Sequence, residues 1–279
     1  VVAANNHYDA AYVKYFTGLR DVPVIPNFCA YTQAQYAPTR PQVLVGPGRG
    51  VHDGLFGELK QAAQRRGGRF KSFARIRDLY SHFEYSDLAA HPAIVLIPYQ
   101  VSVMSVFEYY RMGIPMFAPT PELLAQWQLQ HTVMNELTWD LVFKKPKGRR
   151  APLPQHADDR AAGAPAHDPN NQRDLDALRY WLGFADFYQW PHVEYFSSWA
   201  DLLAKLDKAD LAETSRKIAE HNVKQKAELV AQWQALFHRM FHGIPPASTL
   251  SRPQDADFDR AMARQYRVKV AGACTGDTD

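Results

Sequence analysis

The sequence is poor in cysteine, in long apolar runs and in any excess of one charge. Its two cysteines, Cys29 and Cys274, cannot build a disulfide framework or a cysteine-rich zinc site. A bridge between them is disfavoured, because Cys274 stands in a polar stretch. Nowhere do apolar residues run to the roughly 18 that a membrane-spanning helix needs. Lys and Arg number 32 against 29 Asp and Glu, and a surplus of +3 falls far below that of a dedicated nucleic-acid binder. The chain also lacks a Gly-x-Ser-x-Gly elbow, a His-Glu-x-x-His pair, a Gly-Lys-Ser/Thr phosphate loop and a Gly-x-Gly-x-x-Gly fingerprint. Those absences leave the serine-hydrolase, zinc-protease, P-loop and dinucleotide-enzyme readings without a motif to carry them. No initiator Met is present, and Val1-Val2-Ala3-Ala4 reads as the opening of a processed chain or of a piece of a longer one. The compartment is therefore left open.

What is present is core material. Hydrophobic residues make up 46% and aromatics 13% of 279 residues, which excludes disorder of the chain as a whole. The length suits two domains or one large α/β unit. Residues 1–4 read as the end of a buried strand, 8–19 as a helix stopped at Gly18, and 22–25 as a short strand turned by Pro26-Asn27. Residues 1–41 are thus expected to be the remnant of an N-terminal Rossmann-like domain with its linker. A second series is clearer. Strands at 42–45, 68–73, 93–97 and 114–118 alternate with helices at 55–64, 76–83, 103–112 and 121–128. Thr120 caps the last of these with Pro121 at its first position, and Asp87 reads as a further cap before Leu88. This alternation predicts an α/β fold, a Rossmann-like parallel sheet with helices on both faces.

Residues 144–168 have almost no large apolar side chain and are expected to form a mobile insertion. Its basic cluster, Lys144, Lys145, Lys147, Arg149 and Arg150, allows peripheral association with an anionic membrane. A solvated loop is the plainer expectation, and no nucleic acid is expected, because no aromatic residues are interleaved. Helical spacing returns from Asn171, a strand is expected at 192–196, and Ser197 or Ser198 caps a helix at 199–206. A long C-terminal amphipathic helix follows at 211–241, with Leu229, Trp233, Leu236, Phe237 and Met240 on one face. The main domain is therefore expected over 42–242, with 243–279 a flexible tail.

The chemically informative stretch runs from Ile97 to Pro115. A buried strand ends at Pro98, small polar residues follow, and a helix begins near Ser102–Met104. In an open parallel sheet, ligands bind beyond the carboxyl ends of the strands, and a helix N-terminus there suits a phosphate. Ser102 and Ser105 can add hydroxyl donors, and Glu108, one turn inside, can accept both hydroxyls of a ribose. The plainer alternative is that the serines cap and Glu108 is a solvated surface residue. His52-Asp53 could face a ligand, although Asp53 serves equally as a helix cap. His91 before Pro92 reads as a satisfied strand-edge histidine. His238 and His242 have metal-ligand spacing but no evident third ligand, so no metal is expected.

Ser105-Val106-Phe107-Glu108, followed by Gly113-Ile114-Pro115-Met116, resembles the donor-site motif of GT-B glycosyltransferases, most closely the retaining glycogen-synthase-like and family-4-like group. The likeness follows chain order over residues 1–130 and again over 190–240. It implies the C-terminal, nucleotide-sugar-binding domain of such an enzyme and a metal-independent transfer from a UDP- or GDP-linked sugar, with no other cofactor. The acceptor would be a glycan, a lipid or a protein. Glu108 would hold the ribose. Gly48 and Arg49 of the glycine-rich loop, with Ser102, Met104 and Ser105 at the helix start, would hold the diphosphate. Tyr99 and Gln100 would line the sugar, Gln100 standing where the family has a second acid. Arg49 and Gln100 are then the candidates nearest the reacting atoms. A sugar-nucleotide epimerase or phosphorylase of the same architecture, or a non-catalytic interaction module, are the alternatives.

Overall fold

The protein, seen in a computed structural model, is described over residues 2–47, 52–134, 155–171 and 173–241. It comprises two compact units, residues 1–227 and 228–279. The first is built on five short strands: β1 (Val43–Gly46), β2 (Phe73–Arg75), β3 (Ile94–Leu96), β4 (Met116–Pro119) and β5 (Glu194–Phe196). They form one all-parallel sheet in the order β2-β1-β3-β4-β5. Leu44 lies opposite Ala74 on one side and Ile94 on the other, and Phe117 opposite Val95 and Glu194. Val43, Leu44, Val45, Ile94, Val95 and Leu96 are wholly buried. Unbroken apolar strands of this kind are what a sheet covered on both faces requires.

The helices are α1 (His7–Thr17), α2 (Asp53–Arg66), α3 (Ile76–Leu79), α4 (Tyr85–Ala89), α5 (Met104–Arg111), α6 (Pro121–His131), α7 (Ala157–Ala161), α8 (Leu175–Leu182), α9 (Asp186–Gln189), α10 (Trp199–Lys208) and α11 (Leu211–Met240). Right-handed crossovers from β1 leftward to β2 and from β3 rightward to β4 put α2 and α5 on opposite faces. After β5 the chain returns to the α2 side, where Trp199 Nε1 donates to Glu58 Oε2 at 3.1 Å and Asp207 pairs with Arg66. Thr120 accepts from the Leu123 N–H at 3.3 Å ahead of Pro121, and Ser198 from the Asp201 N–H at 3.1 Å, as the sequence predicts.

Several expectations shift by a few residues. Strand β2 is confined to 73–75, because its pairing with β1 begins only at Phe73 opposite Val43, after Gly67 and Gly68 turn the chain with positive φ. Helix α3 is a single turn. Asp87 is not the cap of α4: Glu84 is, and Asp87 reaches back to the Glu84 N–H at 3.0 Å. Asp53 does not cap α2 either. The His52 ring accepts from the Gly54 N–H, and Asp53 pairs with Arg75 instead.

Two larger differences concern the N-terminal segment and the expected insertion. Residues 1–41 belong to the same compact unit as the sheet. Ala4 bridges Val24, and Tyr8 and Tyr15 of α1 pack edge-on against Trp181. Within the expected insertion, residues 144–154 lie outside the described residues, but 155–168 are not a structureless excursion. They carry α7, with Gln155 and Asp159 buried, the His156 N–H on the Tyr15 carbonyl and Lys14 paired with Asp159. In the second unit, the described part is the distal end of α11. Leu229 and Leu236 are buried there while Trp233, Phe237 and Met240 are exposed, so the five residues expected on one face differ in exposure.

Candidate functional site

The strand order contains one reversal. From β1 the chain passes leftward to β2, whereas from β3 it passes rightward to β4, so the carboxyl ends of β1 and β3 flank the topological switch point. Connections leaving in opposite directions open a crevice there. Two loops border it: the one after β1, of which Gly48 and Arg49 lie outside the described residues, and the one after β3, residues 97–103. The motif residues thus sit where a parallel sheet most readily accepts a ligand. Helix α5 opens at Met104 with no side-chain cap, which leaves backbone N–H groups at its start.

The side chains expected there have specific partners. Tyr99 is half-buried against the core. Gln100 is half-buried and makes no side-chain hydrogen bond among the described residues. Ser102 is not a cap: its hydroxyl oxygen accepts from Asn6 Nδ2 at 2.6 Å. That leaves the Ser102 hydrogen for another acceptor. Met104 is exposed, with its sulfur 3.7 Å from Asn5 Nδ2 and 3.9 Å from Asn27 Nδ2. Ser105 is half-buried, one turn before the buried Tyr109.

Glu108 is neither free nor simply solvated. Its Oε1 accepts from the Tyr31 hydroxyl at 2.7 Å and the Tyr85 hydroxyl at 2.8 Å. Burial first, then the bond to Glu108, pushes both phenols well above the ordinary tyrosine range, so both remain donors. The Tyr31 oxygen also lies 3.6 Å from Cys29 Sγ. That thiol is buried and pushed up to about 11, which leaves it protonated at neutral pH.

Asn6 joins three elements. Its Oδ1 accepts from the Asp9 N–H at 2.7 Å, capping α1, while Nδ2 donates to Ser102 and, at 3.2 Å, to Asp186 Oδ2. Burial, reinforced by the Asp9 carboxylate, pushes the Asp186 carboxyl up to about 8 against the opposing pull of Asn6. Sequence reasoning missed Asn6, Tyr31, Tyr85 and Asp186. Only Asn6 carried a local signal, as a cap-type residue ahead of a helix. The bonds themselves span 96, 77, 23 and 180 positions.

The remaining candidates resolve plainly. His91 is buried between the Gln42 carbonyl and the Tyr80 hydroxyl, each 2.8 Å from a ring nitrogen, and is satisfied as expected. His52 and His131 have ring centroids 4.9 Å apart. His242 lies outside the described residues. Among the described residues no group of three or more His, Cys, Asp or Glu side chains converges as metal ligands would. Compared with known proteins, the chain matches no family model, no curated protein and no solved structure.

Proposed function

We propose that this chain is the nucleotide-sugar half of a GT-B-like glycosyltransferase, with a Rossmann-like donor domain. The observation that carries the reading is the coincidence of the motif loop with the switch point of the sheet. The β3–α5 loop and the uncapped start of α5 border the crevice, and Glu108 stands one turn inside. A Rossmann sheet has the order 3-2-1-4-5-6, and this order follows if its outermost third strand is missing. Flavodoxin-like sheets share the order too, so the weight rests on the site and not on the topology.

On this reading the donor diphosphate lies at the α5 N-terminus, with the Ser102 hydroxyl and Arg49 as further donors. These groups offset the charge that develops on the leaving group, and a fixed dipole does so without reorganising. Glu108 accepts from the ribose, and Tyr99 and Gln100 border the sugar. The acceptor glycan, lipid or protein would approach from the open side of the crevice. One observation favours a second reading, a non-catalytic interaction module. Glu108 already has two protein donors, as a purely structural carboxylate would.

Thermal unfolding in the presence of UDP, GDP, ADP and their sugar conjugates separates the two. A ligand at about 100 times its Kd adds about 2.7 kcal/mol. The donor reading expects a rise in Tm with one nucleotide class that disappears in Glu108→Ala, each protein referred to its own unliganded Tm. No rise with any nucleotide favours the interaction module. A rise that survives the substitution moves the site away from Glu108.

A further inference from the structure

Glu108 is held through one of its two oxygens. Both of its protein donors, Tyr31 and Tyr85, bond the same oxygen, Oε1, and no other described residue donates to the group. They come from unrelated parts of the chain. Tyr31 lies in the turn Ala30–Thr32, Tyr85 opens α4, and their ring centroids are 6.0 Å apart. Two phenols on one oxygen use up its acceptor directions and fix the carboxylate torsion, so that Oε2 keeps a constant direction.

The turn that delivers Tyr31 is itself well held. Asn27 Oδ1 accepts from the Cys29 N–H at 2.9 Å, and both residues flanking the turn, Cys29 and Gln33, adopt left-handed backbone, at φ +51° and +48°. A surface tyrosine with no task would not require such a turn. Tyr31 nevertheless remains 45% exposed, so the clamp stands at the solvent boundary, where a ligand can reach it.

We propose that Tyr31 and Tyr85 are positioning residues that make Glu108 a one-oxygen acceptor, selective for a ribose hydroxyl of a nucleoside diphosphate. This rests on the donor-site reading above. A carboxylate clamped on Oε1 presents Oε2 alone, and only a donor group gains from meeting it. A ligand without ribose hydroxyls leaves that oxygen unpaired, whereas an unclamped carboxylate can turn away to water and discriminates less.

The test is calorimetric titration of the full chain with UDP and GDP and with their 2′,3′-dideoxy forms. The wild type is compared with Tyr31→Phe, Tyr85→Phe and the double variant. The wild type is expected to prefer the ribonucleotide that binds by about tenfold or more. In the double variant that preference should fall to about threefold or less, with affinity for the dideoxy form unchanged. The single variants should fall in between, which keeps the test decisive if the double variant does not fold. General loosening of the site would weaken both ligands alike. If ribonucleotide preference stays intact in every variant, the positioning role is overturned and the donor reading stands. Binding of UDP or GDP with no wild-type preference also overturns it. If neither nucleotide binds, the donor reading fails and takes the inference with it.

Discussion

Asp186 and His91 show how single buried groups write pH dependence into this protein. The Asp186 carboxyl is pushed from 3.8 to about 8, first by burial and then by Asp9. Below about pH 4 both folded and unfolded chains hold its proton. Between about 4 and 8 the unfolded chain releases a proton that the folded chain keeps, so Asp186 lowers stability as pH rises through that window. Asp186→Asn retains an oxygen to accept from Asn6 and removes the titration. It should flatten this part of the profile and add about 1–3 kcal/mol at pH 8, read from urea unfolding at a series of pH values. An unchanged profile would mean that Asp186 is ionised in the folded state. His91 works at the other end. Burial holds it below the ordinary histidine range, and because the Gln42 carbonyl can only accept, Nδ1 carries the proton. Protonating Nε2 breaks the bond donated by Tyr80, so stability contributed by neutral His91 is lost as pH falls through the ordinary histidine range.

At the scale of elements, α5 has only eight residues and would not persist alone. It is fastened from outside at both ends. The loop before it is held by Asn6 through Ser102. Beyond its last turn, Gly113 takes φ +75°, where a Cβ would stand 3.2 Å from Ser215 Oγ on α11. Asn222 of α11 donates to the carbonyls of Tyr110 at 3.0 Å and Arg111 at 3.3 Å, adding to the Gly113 N–H that the Tyr110 carbonyl already accepts and supplying a donor at the helix end for Arg111. Gly113→Ala is expected to cost about 1–2 kcal/mol from the left-handed backbone, and more if Ser215 cannot give way. Asn222→Ala should cost about 1–3 kcal/mol, because the Arg111 carbonyl loses its side-chain donor while the Tyr110 carbonyl keeps the Gly113 N–H. Urea midpoints of the two variants check both, with m unchanged. A Gly113→Ala midpoint equal to wild type would mean that residue 113 need not keep the left-handed backbone.

For the first compact unit as a whole, the N-terminal 41 residues are structural members and not an appendage. Tyr8 and Tyr15 meet Trp181, Asn6 meets Ser102 and Asp186, and Tyr31 meets Glu108. A chain beginning at Gln42 would bare the Trp181 face and orphan Asp186. It is expected to bind a hydrophobic dye and to unfold over a broader range than the full chain, followed by tryptophan fluorescence and urea. Equal cooperativity in the two chains would make the N-terminal segment dispensable. The motif helix, the Thr120 and Ser198 caps and the apolar strands were all legible in the sequence, because each depends on neighbours within a few positions. The true extent of β2, the cap of α2 and the order within 155–168 were not. In each case a distant partner decided the outcome: Phe73 pairing with Val43, Asp53 with Arg75, and Lys14 with Asp159.

The alternation of apolar strands with amphipathic helices was enough to determine a parallel α/β sheet, since a strand buried on both faces leaves its mark on every residue. The Ile97–Pro115 stretch likewise determined where a loop and a helix start would follow a buried strand. Only the tertiary structure decided the surroundings of that loop. Asn6 on Ser102 and Asp186, and the two tyrosines on Glu108, are side-chain contacts between segments tens to nearly two hundred positions apart. Hydrogen bonds and burial act through space, so the direction and freedom of Glu108 are set by residues that no local pattern connects to it.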